Sequence, residues 1–155
     1  MHTLTALTAP TPTHAPRPAI LLGFGGLIPF VGLALLAARA PATAPPYLAA
    51  LETYAAVILS FVGALHWGYA VSTNARGSLA TLQYIYSVLP SLAGWFALHL
   101  ATAATLRVQA ATFVACFVAD LVLAEREALP RWFLRLRAAL TTVAAASLVF
   151  ASGVA

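Results

Sequence analysis

The sequence predicts an all-α membrane protein, folded as one bundle of five transmembrane helices with a short interfacial amphipathic helix. Three observations support this fold class: 62% of the 155 residues are hydrophobic, only 8% are charged, and the apolar residues occur in long runs. A bilayer core needs about 20 helical residues, and a soluble domain has about 25% charged residues. Because so few charges cannot cover a surface that faces water, we expect most of this surface to contact lipid.

The apolar runs define the elements in order. Residues 1–18 are rich in threonine and proline and are predicted to be a disordered N-terminal tail. Residues 19–155 are predicted to form a single transmembrane domain. Its transmembrane helices are predicted at about 19–38, 48–71, 79–100, 104–124 and 138–154. The clearest breaks are Pro45-Pro46, residues 74–77 and residues 124–136. Since the connections are short, helices adjacent in sequence should lie antiparallel and adjacent in space.

The segment before the last span has a helical pattern of its own, predicted at about 127–136. Leu129, Trp132, Phe133 and Leu136 are spaced as one face of a helix, and Pro130 suits a first turn. One interpretation is an amphipathic helix lying on the membrane surface, with its arginines toward lipid phosphates. The other is a charged segment that only sets the topology.

Arginine accounts for the net charge of +4, since the chain contains no lysine. The N-terminus, the second loop and the fourth loop share one side, which holds Arg17, Arg76, Arg126, Arg131, Arg135 and Arg137. The other side holds only Arg39 and Arg107. The positive-inside rule therefore predicts a cytoplasmic N-terminus and a periplasmic C-terminus. Arginines at helix ends indicate topology and lipid contacts, so the basic charge does not predict nucleic-acid binding.

Ionisable residues inside apolar runs are the candidate site, because such groups are costly in a bilayer. Several polar residues of different spans are predicted to lie at a similar depth, near the cytoplasmic interface, and to form one polar layer. They are His66, Trp67, Tyr84 or Tyr86, Asp120 and Arg137. Asp120 could accept a hydrogen bond from His66 or form an ion pair with Arg137, and both arrangements remain open. The layer would bind a ligand or protons, or would only hold helices together. On the outer side, Glu52 and Arg107 are a candidate pair, with snorkelling to the interface as the alternative.

Other chemistry is not predicted. His66 and His99 differ in depth by about 15–20 Å, which disfavours haem ligation by both, and neither a metal site nor a cofactor is expected. Catalytic residues are not identified. Cys116 is interpreted as a buried apolar side chain. The glycines Gly23, Gly26, Gly63 and Gly68 are predicted to let helices approach closely.

Four patches of the sequence resemble a known family. They are Tyr54-x-x-x-Ile58-Leu59-Ser60-Phe61-x-Gly63-x-x-His66-Trp67-Gly68, Leu89-Pro90-Ser91-x-x-x-Trp95, Asp120, and Leu129-Pro130-x-Trp132-x-x-x-Leu136-Arg137-x-x-Leu140-Thr141. The family is a group of small bacterial inner-membrane proteins of unknown function, to which a mitochondrial transmembrane protein of animals is similar. The resemblance implies a multi-pass protein of the bacterial cytoplasmic membrane and implies no activity.

Two main hypotheses for function follow. The first is a non-enzymatic scaffold or assembly protein, which packs in the lipid bilayer against its own copy or another membrane protein. The second is a carrier or binder of a small hydrophobic ligand or of protons, which uses the layer of His66 and Asp120. A membrane-embedded enzyme ranks third.

Overall fold

The computed structural model describes residues 14–74, 76–123 and 129–155. These residues form six α-helices joined by short connections, with a 3₁₀ turn at Pro41–Thr43. The helices are α1 (Arg17–Gly25), α2 (Leu27–Arg39), α3 (Ala44–Ser72), α4 (Gly77–Ala97), α5 (Thr102–Leu123) and α6 (Arg131–Ser152). The predicted all-α class is confirmed.

The first predicted span is a single helical path interrupted at Gly26. This residue ends α1 and precedes α2, yet its backbone stays helical, with φ −65° and ψ −14°. Pro29 lacks an N–H, so the carbonyl of Gly25, four residues earlier, has no helical donor. The hydroxyl of Tyr54 in α3 donates to the Gly26 carbonyl at 2.9 Å. The path begins at Arg17, so the last residues assigned to the predicted tail belong to a helix; residues 1–13 of that tail lie outside the described residues.

Two predicted boundaries are wrong. Pro45-Pro46 does not break the chain but lies in the first turn of α3, where the missing N–H costs no helical hydrogen bond. The predicted interfacial helix is not separate, because residues 131–136 form the first turns of the continuous helix α6. Its residues 127 and 128 lie outside the described part. The apolar face at Trp132, Phe133 and Leu136 is turned toward α1 instead of lying on the membrane surface.

The helices are long and apolar enough for a membrane. Among the described residues, four segments qualify by length and composition, namely Arg17–Arg39, Pro41–Ser72, Thr102–Leu123 and Arg131–Ser152. Helix α4, the third predicted span, is 21 residues long but has a lower hydropathy because it contains Gln83, two tyrosines and Pro90. Large apolar side chains face outward, with Leu22 77% and Ile28 72% exposed. This protein is therefore a membrane protein whose outer surface contacts lipid.

Close approach between α3 and α4 depends on two glycines. A Cβ on Gly63 would collide with the backbone carbonyl of Ser87, and one on Gly94 would lie 3.2 Å from the Cα of Ala56. Gly23 lies against Leu140 of α6, since a Cβ there would be 3.1 Å from its Cδ1. The close packing predicted for Gly68 is not found between the described helices of this chain, because no atom lies within 4 Å of a Cβ placed there.

The remaining predicted packing glycine, Gly26, borders the aromatic centre of the bundle. The nearest side-chain atom to a Cβ built on it is the Tyr54 hydroxyl, at 3.7 Å. Phe30 is 1% exposed and packs edge-to-face on Tyr54 and on Phe113, with ring centroids 5.2 and 5.6 Å apart. These rings join α2, α3 and α5, and they lie beside the cavity described below.

Candidate functional site

A buried group of three ionisable side chains joins three helices. Asp120 of α5 accepts a hydrogen bond from His66 Nε2 of α3 through Oδ1 at 3.0 Å, and one from Arg137 Nε of α6 through Oδ2 at 2.8 Å. With the carboxylate ionised, the proton of the imidazole lies on Nε2. The side chains of His66 and Asp120 are each 4% exposed, and that of Arg137 is 9% exposed. The two arrangements that the sequence left open therefore coexist on one carboxylate.

Helix geometry explains why the three residues meet. His66 lies six residues before the end of α3, and Asp120 lies three before the end of α5. Arg137 lies six residues after the start of α6. Because neighbouring helices are antiparallel, all three positions fall within about 10 Å of the same end of the bundle. From these three positions, long apolar stretches of the same helices run toward the opposite end of the bundle. The charges are therefore enclosed by protein and lipid.

Of the two tyrosines predicted for this layer, Tyr86 is the one that joins it. Its ring packs edge-to-face on the His66 imidazole with centroids 4.7 Å apart, and its hydroxyl donates to the Cys116 carbonyl at 3.4 Å. Trp67 and Tyr84 form a separate pair, with centroids 4.9 Å apart, and Trp67 is half exposed. The prediction that Trp67 belongs to the layer is wrong, since a residue next to His66 points about 100° away from it around the helix.

An elongated cavity of about 390 Å³ lies beside the group and reaches it through Arg137. Residues of α1, α2, α3, α5 and α6 line it, and apart from Arg137 and Thr141 they are apolar or aromatic. Two of them, Leu22 and Phe61, are 77% and 64% exposed and so stand at its lipid-facing side. Cavities that hold small molecules in proteins have volumes of about 300–1,000 Å³. This one lies within that size range and has an almost entirely apolar lining.

Three residues of α6 that line the cavity each carry a buried polar atom with no hydrogen-bond partner among the described residues. These atoms are Trp132 Nε1, Arg137 Nη2 and Thr141 Oγ1. The hydroxyl of Thr141 is unusual for a threonine in a helix. The next residue, Thr142, donates to the Ala138 carbonyl of its own helix at 2.8 Å, and Ser147 donates to Val143 in the same way. Buried polar atoms are normally satisfied; among the described residues Glu52, Gln83 and Gln109, which do not line the cavity, also carry an atom of this kind.

The pair predicted on the outer side is wrong. Arg107 donates from Nε to the Ser152 hydroxyl at 3.3 Å, while the backbone carbonyl of Glu52 accepts from the Gln109 side chain at 2.9 Å. Residues 107 and 109 point to different sides of α5, so only Gln109 faces α3. Arg107 is turned toward the end of α6.

The described residues bring together no set of metal-binding side chains. No cluster of three or more His, Cys, Asp or Glu side chains is found among those residues. His66 is already engaged by Asp120. The candidate site thus consists of the buried group of His66, Asp120 and Arg137 and the apolar cavity that Arg137 lines.

Sequence reasoning did not identify Trp132 and Thr141 as site residues. Trp132 was assigned to the surface of an interfacial helix. Thr141 lies one turn after Arg137, and this i, i+4 spacing on one face of α6 was a signal that could have identified it. The helical break at Gly26 was also not predicted.

Comparison with known proteins agrees with this architecture. Over 139 residues the chain is 37% identical to transmembrane protein 69 of Xenopus tropicalis, an alignment that covers 87% of this chain and 53% of that protein. The chain thus spans about half the length of this relative. No solved structure matches the chain. The model of the family described as protein of unknown function (DUF3429) matches residues 15–152, which include every helix and the whole candidate site, and the chain therefore belongs to that family.

Proposed function

We propose that this membrane protein binds a small hydrophobic ligand, which enters the cavity between α1, α3 and α6 from the surrounding bilayer. The observation that supports this proposal is a cavity of about 390 Å³ with an almost entirely apolar lining and exposed apolar residues at one side. An apolar space of this size attracts an apolar molecule. Of the two hypotheses from the sequence, the geometry favours the ligand binder.

The group of His66, Asp120 and Arg137 has a positioning role in this proposal. Asp120 holds the guanidinium by its Nε, and Arg137 lines the cavity. His66 occupies the other carboxylate oxygen. The guanidinium is thus fixed by two neighbouring helices before any ligand arrives, which reduces the entropy lost on binding.

A scaffolding function receives less support from the packing. The sequence argument for it was based on glycines as contact points for other helices. Gly63 and Gly94 are used between α3 and α4, and Gly23 is used between α1 and α6. These three contacts serve the fold of the single chain, so they do not argue for a partner protein.

Closing the cavity at its mouth tests the proposed function. Ala19 lines the cavity in the first turn of α1, and a tryptophan there is expected to fill the entrance. Native mass spectrometry of the protein in mild detergent should show a bound small molecule in the wild type and a several-fold smaller bound fraction in Ala19→Trp. Ile20→Trp is the matched control, because Ile20 is partly exposed and does not line the cavity. A bound mass that is equal in all three proteins would contradict the proposal.

We also propose that the protein lies in the bacterial inner membrane with its N-terminus in the cytoplasm. The described arginines at the starts of α1, α4 and α6 lie at one end of the antiparallel bundle, which supports this orientation. In a Cys116→Ala background, a cysteine at Ala101, after α4, should react with an impermeant maleimide added to cells with a permeable outer membrane. A cysteine at Thr73, after α3, should react only once the inner membrane is opened. The reverse pattern would overturn the orientation.

A further inference from the structure

The cavity beside α6 is long and runs parallel to the helices. On α6 its lining extends from Trp132 to Ala144, and on α1 and α2 it extends from Ala19 to Phe30. At about 1.5 Å per residue, these stretches are about 18 and 16 Å long. A sphere with the cavity's volume of about 390 Å³ would be only about 9 Å across. The space therefore has the shape of an extended molecule and not of a compact one.

The wall of the cavity offers contacts with hydrocarbon. The unpartnered polar atoms of Trp132, Arg137 and Thr141 are fully buried, and the other lining residues are apolar or aromatic. A polar group placed in this space would lose its hydration and would gain no hydrogen bond, which is costly. The part of a ligand that lies inside the cavity must therefore be hydrocarbon.

The cavity occupies about half of the membrane-spanning length. It begins at Trp132, one residue after the start of α6, and Ala144 lies 13 residues after that start, a distance of about 20 Å. Ile58 lies 14 residues before the end of α3, so it reaches the same depth from the opposite direction. The hydrocarbon core of a bilayer is about 30 Å thick, so one leaflet contributes about 15 Å. The cavity thus ends near the middle of the membrane, where the chains of a lipid also end.

We infer that the ligand is a membrane lipid of this leaflet, with one extended hydrocarbon chain in the cavity and its head group outside, at the starts of α1 and α6. This inference rests on the proposed function and specifies the ligand class for the same site. Leu22 and Phe61 line the cavity and are 77% and 64% exposed, so its open side faces the chains of the bilayer. A chain that enters there supplies the van der Waals contacts that the wall of an empty space lacks. Its terminal methyl group lies near Ala144.

Dependence on chain length tests the ligand class in the full chain. Native mass spectrometry in mild detergent measures the fraction of protein that carries a bound probe. The probes are phosphocholines with one linear saturated chain, which is lengthened by two carbons at a time until it exceeds the length of the cavity. A second set has the same head group on a cage-like hydrocarbon of equal carbon number. Each variant is compared with the wild type at the same probe concentration, so partition of the probe into detergent cancels.

The variant Ala144→Leu fills the end of the cavity near the middle of the membrane. It is expected to lower the bound fraction of the longest chains by about 5-fold or more, while chains too short to reach this position bind as in the wild type. Ala146→Leu is the matched control, because Ala146 is exposed and does not line the cavity, and it should leave binding unchanged at every chain length. Thermal melting checks that each variant is folded. If Ala144→Leu melts below the control, Ile58→Phe replaces it, since Ile58 lines the cavity at the same depth.

The other outcomes separate the two proposals. If the variant lowers the binding of all chain lengths equally, or of none, the chain does not end at Ala144 and the inference is wrong. If the cage-like probes bind as well as the linear ones, and Ala19→Trp reduces the binding of both, the lipid-chain class is overturned and the proposed function stands. If no probe binds to the wild type more than to Ala19→Trp, both the ligand class and the proposed function fail.

Discussion

Replacing Asp120 by asparagine is expected to lower the melting temperature of the protein on the order of 10 °C. Asp120 is 3% exposed and accepts hydrogen bonds from both His66 and Arg137. The amide of asparagine replaces one acceptor by an NH₂ donor, which then faces either the imidazole N–H or the guanidinium. The positive charge of Arg137 also loses its balance. Removing one partner of a buried ion pair costs about 3–5 kcal/mol, and 1 kcal/mol corresponds to about 2–4 °C for a chain of this size.

The measurement is thermal melting in mild detergent, with Arg107→Gln as the control. Arg107 is exposed and bonded only to Ser152 among the described residues, so removing its charge should shift the melting temperature by no more than about 2 °C. A double variant, Asp120→Leu with Arg137→Met, removes both charges and should recover much of the lost stability. If Asp120→Asn melts like the wild type, or if the double variant is less stable than the single one, the three side chains are not coupled as described.

The meeting of His66, Asp120 and Arg137 was predictable because depth and antiparallel order follow directly from the sequence. The pairing within the group was not, since a carboxylate has two oxygens and either partner could have excluded the other. The direction in which each side chain points around its helix could not be predicted from the sequence either. Trp67 lies at the depth of His66 and still belongs to the outer surface, because depth gives no rotation about the helix axis.

The cavity could not be predicted from the sequence for a related reason. The apolar stripe of Trp132, Phe133 and Leu136 fits a membrane surface and a neighbouring helix equally well. Its actual neighbour is α1, whose position depends on the break at Gly26 and on the hydrogen bond from Tyr54. A cavity is the space that remains after every helix is placed, so it depends on all of these contacts at once.

A second large effect is expected for Gly63→Ala, which should lower the melting temperature by about 5–10 °C. A Cβ on Gly63 would overlap the Ser87 carbonyl and would lie 3.3 Å from Cδ of Pro90. Both obstacles belong to the backbone path of α4, so no side-chain rotation relieves the overlap, and the two helices must separate. Separation loses contacts along the α3–α4 pair. Overpacking of this kind costs about 1–3 kcal/mol, and 1 kcal/mol corresponds to about 2–4 °C here.

Two other glycines of the same helix pair make the experiment a graded series. At Gly68 a Cβ meets nothing within 4 Å, so Gly68→Ala should be neutral or should raise the melting temperature slightly, because alanine favours a helix by about 1 kcal/mol. Gly94→Ala should fall between the two, since its nearest contacts are 3.2 Å to Ala56 and 3.3 Å to Leu59. The order of melting temperatures is thus expected to be Gly68→Ala, then Gly94→Ala, then Gly63→Ala. Equal melting of the Gly63 and Gly68 variants would mean that α3 and α4 are not in contact at Gly63.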